Sequence, residues 1–185
     1  MAGLEIVAAV LGVINVILVV RRSTWNYPFG IASVALYFFV FGHAKLYSDA
    51  LLQIFFFVIQ IYGWWAWYHA QHVDRGVAVR WMGRSERWPW IAATLAAVLL
   101  WGTAMARFTD AAAPYIDAMT AGLSVAAQVL QSLRRIESWL LWICVDVVAL
   151  GLFTWRGLFV TTGLYGLFLI LAIVGLVEWK RKAKA

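Results

Sequence analysis

Long apolar segments, separated by short polar or charged stretches, make up most of the chain. Seven such segments can be drawn, at about residues 3–20, 27–42, 50–68, 88–106, 115–133, 138–155 and 158–179. A membrane-spanning helix needs about 20 mostly apolar residues, so the shorter segments must compensate by tilting and packing. The pattern predicts an all-α membrane protein with seven transmembrane helices, whose termini lie on opposite sides of the membrane.

The composition supports a membrane protein with several spans. Of the residues, 64% are hydrophobic and only 13% charged, with a mean hydropathy of +0.82, whereas a soluble domain carries about a quarter charged residues. The net charge of +6 could suggest nucleic acid. However, the charges lie in short clusters between apolar segments, so the lipid bilayer is the expected partner. The single cysteine, Cys144, excludes a disulfide framework.

The distribution of basic residues predicts the orientation. Of the 15 lysines and arginines, three lie on one side, at Lys45, Arg107 and Arg156. The other side carries Arg21, Arg22, Arg75, Arg80, Arg84, Arg87, Arg134, Arg135, Lys180, Arg181, Lys182 and Lys184. The positive-inside rule therefore puts the C-terminus in the cytoplasm and the N-terminus outside. The basic loop at about 69–87 is expected to serve orientation and headgroup contact, with a regulatory or nucleotide-binding role as the alternative.

An internal repeat relates the two ends of the chain. A shift of 112 residues aligns Leu46–Trp67 with Leu158–Trp179, including Gly63 with Gly175. Arg21-Arg22 and Trp25 align with Arg134-Arg135 and Trp139 at offsets of 113 and 114. These matches predict triple-helix units at 1–69 and 115–181, joined by a connecting helix at 88–107. One connecting helix makes this 3+1+3 repeat parallel, an architecture of transporters that bind substrate near the midplane.

Asp146 is the one acidic residue deep inside an apolar segment. Placing such a carboxylate in lipid costs at least about 2.5 kcal/mol, so it should face protein or water. At helical spacing, Trp139, Trp142 and Asp146 lie along one side of a helix. An aromatic wall beside a buried anion suits a flat, positively charged small molecule. The structural alternative is a carboxyl group hydrogen-bonded to a neighbouring helix.

Further polar side chains lie within the apolar segments. Gln53 and Gln60 share a helical face with Trp64, and buried amides must form hydrogen bonds, either with another helix or with substrate. For Gln60 we favour the interhelical bond. The remaining candidates for a substrate site offer amide, hydroxyl or aromatic groups, and the full set is Gln53, Gln60, Trp64, Tyr37, Thr161 and Tyr165.

Enzyme signatures are missing from the sequence. The three histidines lie at segment ends or in a loop, and neither a HExxH spacing, a GxSxG elbow nor a glycine-rich phosphate loop occurs. His69 and His72 together are weak support for a metal, so neither a metal nor a cofactor is expected. The alternative from another class is an intramembrane enzyme or cofactor-binding subunit, which would need a second reactive group beside Asp146. A membrane scaffold would leave the buried carboxylate without a role.

Two stretches carry distinctive motifs. The first reads LLQIFFF over residues 51–57 and IYGWWAW over 61–67, and the second reads ESWLLW over 137–142. Together they resemble the signatures of the PnuC vitamin transporters, over about residues 8–181. The resemblance implies a SWEET-like fold, assembly as homotrimers and a bacterial inner-membrane location. It also implies facilitated uptake of a vitamin precursor, which is trapped when a cytoplasmic kinase phosphorylates it.

The resemblance also assigns residues to the substrate site. Gln53 matches the family's substrate glutamine and Trp142 its binding tryptophan, while Ser138 and Asp146 stand where members have Asn. These two differences leave the vitamin open. Nicotinamide riboside, the family's best-known substrate, and thiamine both carry a quaternary aromatic nitrogen that suits Trp142 and Asp146. Nicotinamide riboside is therefore the first expectation, thiamine the alternative, and neutral riboflavin the third choice.

Overall fold

Seven helices account for almost all of the fold. The computed structural model describes residues 2–43, 47–73, 77–108, 114–155, 157 and 159–183. The helices are α1 (Ala2–Val20), α2 (Asn26–His43), α3 (Tyr47–Val73), α4 (Arg84–Phe108), α5 (Pro114–Ser132), α6 (Glu137–Trp155) and α7 (Phe159–Ala183). Each predicted segment corresponds to one helix. Four residues used to predict the orientation lie outside the described residues: Lys45, Arg75, Arg156 and Lys184.

The third and fourth helices extend beyond the apolar segments that predict them. Because α3 continues to Val73 and α4 begins at Arg84, the connection is much shorter than the loop expected at 69–87. His69 and His72 consequently lie on the last turns of α3 and not in a loop. Their Nδ1 atoms donate hydrogen bonds to the carbonyl oxygens of Trp65 (2.8 Å) and Tyr68 (2.7 Å), one turn earlier.

The outer surface of the bundle is suited to lipid. Within the described residues, five helices are long and apolar enough to cross a membrane, namely α1, α3, α4, α6 and α7. Large hydrophobic side chains such as Val10, Leu99 and Ile170 are exposed on them. In water such a surface would drive aggregation, whereas acyl chains solvate it. The protein is therefore a multi-pass membrane protein.

Helix contacts form a closed ring. Along the chain α1 contacts α2 and α2 contacts α3, then α3 contacts α5, α5 contacts α6, α6 contacts α7, and α7 returns to α1. The connecting helix α4 packs along α5, and most of its surface is exposed. Six helices thus surround a common interior, with α4 beside the ring.

The helices α1 and α5 end in the same way. Arg22 and Arg134 both adopt a positive φ, 57° and 61°, just after the respective helix. At the end of α1, the N–H of Arg22 donates to Val19 O (2.9 Å) and that of Ser23 to Leu18 O (3.0 Å). The end of α5 repeats this pair of bonds at positions 112 residues later. This is the Schellman arrangement, which satisfies the last carbonyl groups of a helix and turns the chain sharply into the next one.

Aromatic rings pack where α3 and α7 approach each other. Trp67 and Trp179 are both fully buried, with ring centroids 6.0 Å apart. Tyr27 packs edge-on against Trp67 (5.5 Å, 88°), and Trp139 packs edge-on against Trp179 (5.4 Å, 86°). Such pairs contribute about 0.5–1.5 kcal/mol beyond their burial. We call this end of the bundle the closed end.

Trp139 therefore corresponds to Tyr27 in the structure and not to Trp25, with which the sequence aligns it. The reason is burial, since Trp25 is 69% exposed whereas Tyr27 is 3% exposed. The offset is then 112 at this turn as well, the same value that relates Trp67 to Trp179.

A glycine one turn before each tryptophan makes this packing possible. A Cβ atom on Gly63 would lie 2.7 Å from the hydroxyl of Tyr27, and one on Gly175 would lie 2.6 Å from the ring of Trp139. Any side chain at these positions would force the aromatic rings apart.

The indole groups at the closed end also join the two halves of the chain. Trp67 donates its indole N–H to Ser132 O at the end of α5 (3.2 Å). Trp179 donates to Val19 O at the end of α1, also at 3.2 Å. Each half is thereby anchored to the other at this end.

Residues 77–83, which we call the strap, cross the closed end. Val77 and Val79 are buried in the aromatic cluster. Arg80 pairs through its backbone with the α5–α6 turn, donating to Arg134 O (3.2 Å). On the other half, the Arg22 guanidinium donates to Val77 O (2.8 Å). The strap therefore contacts both halves of the ring.

Carboxylates hold the strap and the start of α4 in place. The N–H of Met82 donates to the two oxygens of Glu137 (2.9 and 3.1 Å), and Arg87 forms an ion pair with the same carboxylate (3.3 Å). Glu86 pairs in turn with Arg135 (3.2 Å). Because the Glu137 side chain is only 12% exposed, its pair is shielded from water more than a surface ion pair is.

Candidate functional site

A polar cluster lies inside the ring. Asp146 on α6 is 5% exposed, and no hydrogen bond or ion pair joins it to another described residue. Tyr165 on α7 is close enough to interact electrostatically with Asp146, with Tyr37 on α2 and with Asp49 at the start of α3. We call Tyr37, Asp146 and Tyr165 the polar cluster. It takes side chains from both halves of the chain.

Aromatic rings border the polar cluster. Tyr165 packs against Phe153 (5.2 Å, 31°) and Phe168 (6.0 Å, 82°), and Tyr37 stacks on Phe41 (5.5 Å, 17°). Flat, nearly parallel ring pairs leave flat faces beside the carboxylate. Aromatic faces attract cations, and a carboxylate in a low-dielectric setting does so more strongly.

Small residues keep α1 close to this region. A Cβ atom on Gly12 would meet Ser33 Oγ at 3.3 Å and the Phe168 ring at 3.8 Å. Ser33 donates its hydroxyl to Ala8 O (2.8 Å), which binds α2 to α1. The wall on this side is thus formed by backbone and short side chains, which leaves the interior free for larger groups from α6 and α7.

The Asp146 carboxylate is the most costly group in the ring. Removing an ion from water costs several kcal/mol, and an uncompensated buried charge is strongly destabilising. A bound cation would offset that cost at the moment of binding. The geometry can therefore hold a flat cation, with its ring against the aromatic faces and its charge beside Asp146.

Trp142 is held by a residue absent from the predicted set. Its indole N–H donates to Gln131 Oε1 at 2.8 Å, and its ring packs against the buried core of the closed end. Gln131 lies in the last turn of α5, directly before the turn into α6, and this proximity along the chain was the available signal. The bond fixes the ring orientation of Trp142, whose predicted contact with substrate stays a prediction.

Trp139 and Ser138 lie at the closed end, apart from the polar cluster. Trp139 is 1% exposed, and its indole nitrogen has no hydrogen-bond partner in the described structure. Ser138 is fully buried and donates its hydroxyl to Arg135 O (2.8 Å), which caps the start of α6. Their roles in binding remain predictions for a conformation in which this end opens.

The amides of α3 have different surroundings. Gln60 is 5% exposed, and its Oε1 lies against Gly30, where the Asn15 amide also approaches. This fits the interhelical role favoured for Gln60. Gln53 and Thr161 are half-buried on α3 and α7, and their contact with substrate stays a prediction.

Trp64 differs from the other candidates because it lies on the surface of α3. Its side chain is 41% exposed. The structure therefore does not bring it into the polar cluster, and a role in binding stays a prediction. No group of three or more His, Cys, Asp or Glu side chains within the described residues is placed to hold a metal ion.

A ring of membrane helices that encloses an unpaired carboxylate and aromatic faces defines a class, the multi-pass membrane transporters. Over residues 2–181 the chain matches the family described as nicotinamide mononucleotide transporter. The chain belongs to this family. It is a transporter and not an enzyme, so the alternative of an intramembrane enzyme is set aside.

Relatives and a solved structure agree with this membership. The nicotinamide riboside transporter PnuC of Escherichia coli (strain K12) is 25% identical over 209 residues, covering 100% of this chain and 87% of the relative. The PnuC of Neisseria mucosa is 30% identical over 196 residues, covering 96% of this chain and 72% of the relative. The riboflavin/roseoflavin transporter RibM of Streptomyces davaonensis is 29% identical over 182 residues, with 95% and 83% covered.

The fold is also that of a solved transporter. The crystal structure of the vitamin B3 transporter PnuC superposes with a TM-score of 0.81 and 26% identity, covering 99% of this chain and 83% of that one. The resemblance to PnuC transporters indicated by the sequence motifs is thereby confirmed.

Proposed function

We propose that the protein mediates facilitated uptake of nicotinamide riboside across the bacterial inner membrane. The observation that carries the proposal is Asp146, a carboxylate that is 5% exposed and unpaired among the described residues, beside aromatic rings contributed by α2 and α7. The positively charged nicotinamide ring of this substrate matches such a site. The names of two of the relatives described above point to the same substrate.

The substrate is bound, in this proposal, by groups from both halves. The nicotinamide ring stacks on Trp142 while Asp146 offsets its charge. Gln53 and Thr161 hold the amide or the ribose hydroxyl groups. Thiamine is the alternative, because it also carries a quaternary aromatic nitrogen. Riboflavin is kept as a third candidate because one relative is named a riboflavin transporter, although a neutral ligand gains little from Asp146.

We also propose that the fold is a parallel 3+1+3 repeat of the SWEET type, with α1–α3 and α5–α7 as the units and α4 as the connection. The helix contacts support it, since exchanging α1, α2 and α3 with α5, α6 and α7 leaves the ring of contacts unchanged. The paired helix caps and the Gly63–Trp67 and Gly175–Trp179 pairs give the same relation at the level of side chains.

The closed end faces the cytoplasm in this proposal, with the N-terminus outside. Its support is the positive-inside rule, because both Schellman turns at this end carry arginine pairs. Substrate enters from the outer side and leaves when the aromatic cluster and the strap separate. A cytoplasmic vitamin kinase then phosphorylates the product, which can no longer return. We expect assembly as a homotrimer.

A binding panel tests the proposed substrate. Nicotinamide riboside, thiamine and riboflavin are titrated separately into the purified protein by calorimetry, and each ligand is then recovered and analysed. We expect nicotinamide riboside to bind most tightly and to return unmodified. Tighter binding of riboflavin would remove the proposed role of the carboxylate, and a chemically altered ligand would contradict transport.

A further inference from the structure

A groove opens on the membrane-facing side of the closed end, at the seam between α1 and α7. It has a volume of about 600 Å³. Its wall is apolar and formed by Ile173, Val174 and Val177 of α7, whereas its rim carries Arg21, Arg22 and Lys182. The groove is separate from the polar cluster, and the proposed transport gives it no role.

The rim of the groove has a surplus of positive charge. In the part of the chain that the structure describes, Arg21 and Lys182 form no ion pair, and both are exposed. Arg22 uses one guanidinium N–H for Val77 O and keeps its other donors. The acid that lines the groove, Glu178, forms an ion pair with the adjacent Arg181 at 3.8 Å. An anion at the rim would therefore meet three cations and little repulsion.

The wall continues this site toward the middle of the membrane. Ile173, Val174 and Val177 are 47%, 48% and 56% exposed, although they line a concave surface. An apolar wall directly beside a basic rim is complementary to an amphiphile whose anionic group and hydrocarbon chain are joined. A free phosphate ion would use only the rim.

The repeat offers an internal comparison. At an offset of 112 residues, the seam between α5 and α3 corresponds to this one, and both seams are in contact. There Leu133 stands in place of Arg21 and Ala70 in place of Lys182, so that of the three rim cations only a counterpart of Arg22 remains. A basic rim is consequently not a by-product of the repeated packing. It belongs to the α1–α7 seam alone.

The structure assigns to this groove a binding site for an anionic phospholipid, with the phosphodiester group at Arg21, Arg22 and Lys182 and an acyl chain along the wall of α7. Basic pockets between membrane helices commonly hold anionic headgroups. A lipid there would also cover the α1–α7 seam, one of the two contacts that join the halves of the ring. Bound lipid should therefore stabilise the closed end.

The test uses the full-length protein in phosphatidylcholine nanodiscs to which phosphatidylglycerol is added. Retained lipid is counted by native mass spectrometry, and the midpoint of thermal unfolding is measured. The wild type should retain phosphatidylglycerol over phosphatidylcholine and unfold at a higher temperature with it. The double variant Arg21→Gln/Lys182→Gln should bind it about 30-fold more weakly, the factor for two cations at about 1 kcal/mol each.

A charge-matched control separates a built site from diffuse attraction. Arg84→Gln/Lys180→Gln removes two cations from the same end without touching the groove, and it should retain phosphatidylglycerol as the wild type does. Equal losses in the two double variants would overturn the proposal, as would unchanged binding in Arg21→Gln/Lys182→Gln. An equal thermal shift with inorganic phosphate would show a free-anion site instead. Loss of oligomers in that variant, with lipid binding intact, would assign the groove to a second copy of the chain.

Discussion

Gly175 lies so close to Trp139 that adding a single methyl group should disturb the closed end. In Gly175→Ala the new Cβ would lie 2.6 Å from three ring atoms of Trp139, whereas carbon atoms in contact prefer about 3.5–4.0 Å. The ring must therefore retreat by about 1 Å. It cannot do so freely, because Trp139 is 1% exposed and packs against Trp179.

The magnitude follows from two opposing terms. Overpacking of a buried site costs about 1–3 kcal/mol, and alanine gains about 1 kcal/mol over glycine in a helix interior. Gly163 on the same helix provides the control, because a Cβ there meets no atom within 4 Å. Gly163→Ala should therefore be neutral or stabilising, and the free energies of unfolding of the two variants should differ by about 1–3 kcal/mol.

Thermal unfolding of the purified variants in one detergent measures this difference. At about 3 °C per kcal/mol for a chain of this size, Gly175→Ala should unfold roughly 3–9 °C below Gly163→Ala. Gly63→Ala, the related change in the first half, should resemble Gly175→Ala because the Tyr27 hydroxyl lies 2.7 Å from the added atom. Equal midpoints for Gly175→Ala and Gly163→Ala would refute the packing described for the closed end.

Three further predictions concern the site and the strap. Asp146→Asn should weaken nicotinamide riboside binding about 10- to 100-fold in calorimetry, the range for a lost bond to a charged group, and leave riboflavin binding unchanged; equal affinity for nicotinamide riboside would make the carboxylate structural. Trp142→Phe should weaken the same binding with little loss of stability, and Gln131→Leu should weaken it less, because the indole remains but is no longer oriented. Glu137→Gln should speed hydrogen exchange in residues 77–83 more than Glu86→Gln does, since only Glu137 accepts bonds from the strap backbone; indistinguishable exchange would count against the strap.

Much of the fold could be predicted from the apolar pattern. The seven segments became seven helices because helices satisfy every backbone group within a bilayer. The ends were less predictable. Hydropathy falls off at His69, whereas α3 continues to Val73 because its last side chains bond to carbonyl groups one turn back. The ion pairs of the strap join residues 49 to 55 positions apart, and no local pattern signals such pairs.

Helical spacing predicted the faces of α6 correctly but could not separate depths along it. Trp139 and Asp146 share one side, yet seven residues of helix place them about 10 Å apart along its axis. One therefore lies in the closed end and the other in the polar cluster. Gln131 could not be singled out, because its role arises from the sharp turn that brings the end of α5 beside Trp142.

Transport in reconstituted vesicles is the most direct measurement of the central claim. Protein in liposomes without an ion gradient is exposed to labelled nicotinamide riboside, with and without a nucleoside kinase and ATP inside. We predict that the unmodified label equilibrates across the membrane, accumulates only when the kinase is present, and enters more slowly in Asp146→Asn at low substrate concentration. Absence of uptake, or accumulation without the kinase, would contradict facilitated passage through this ring of helices.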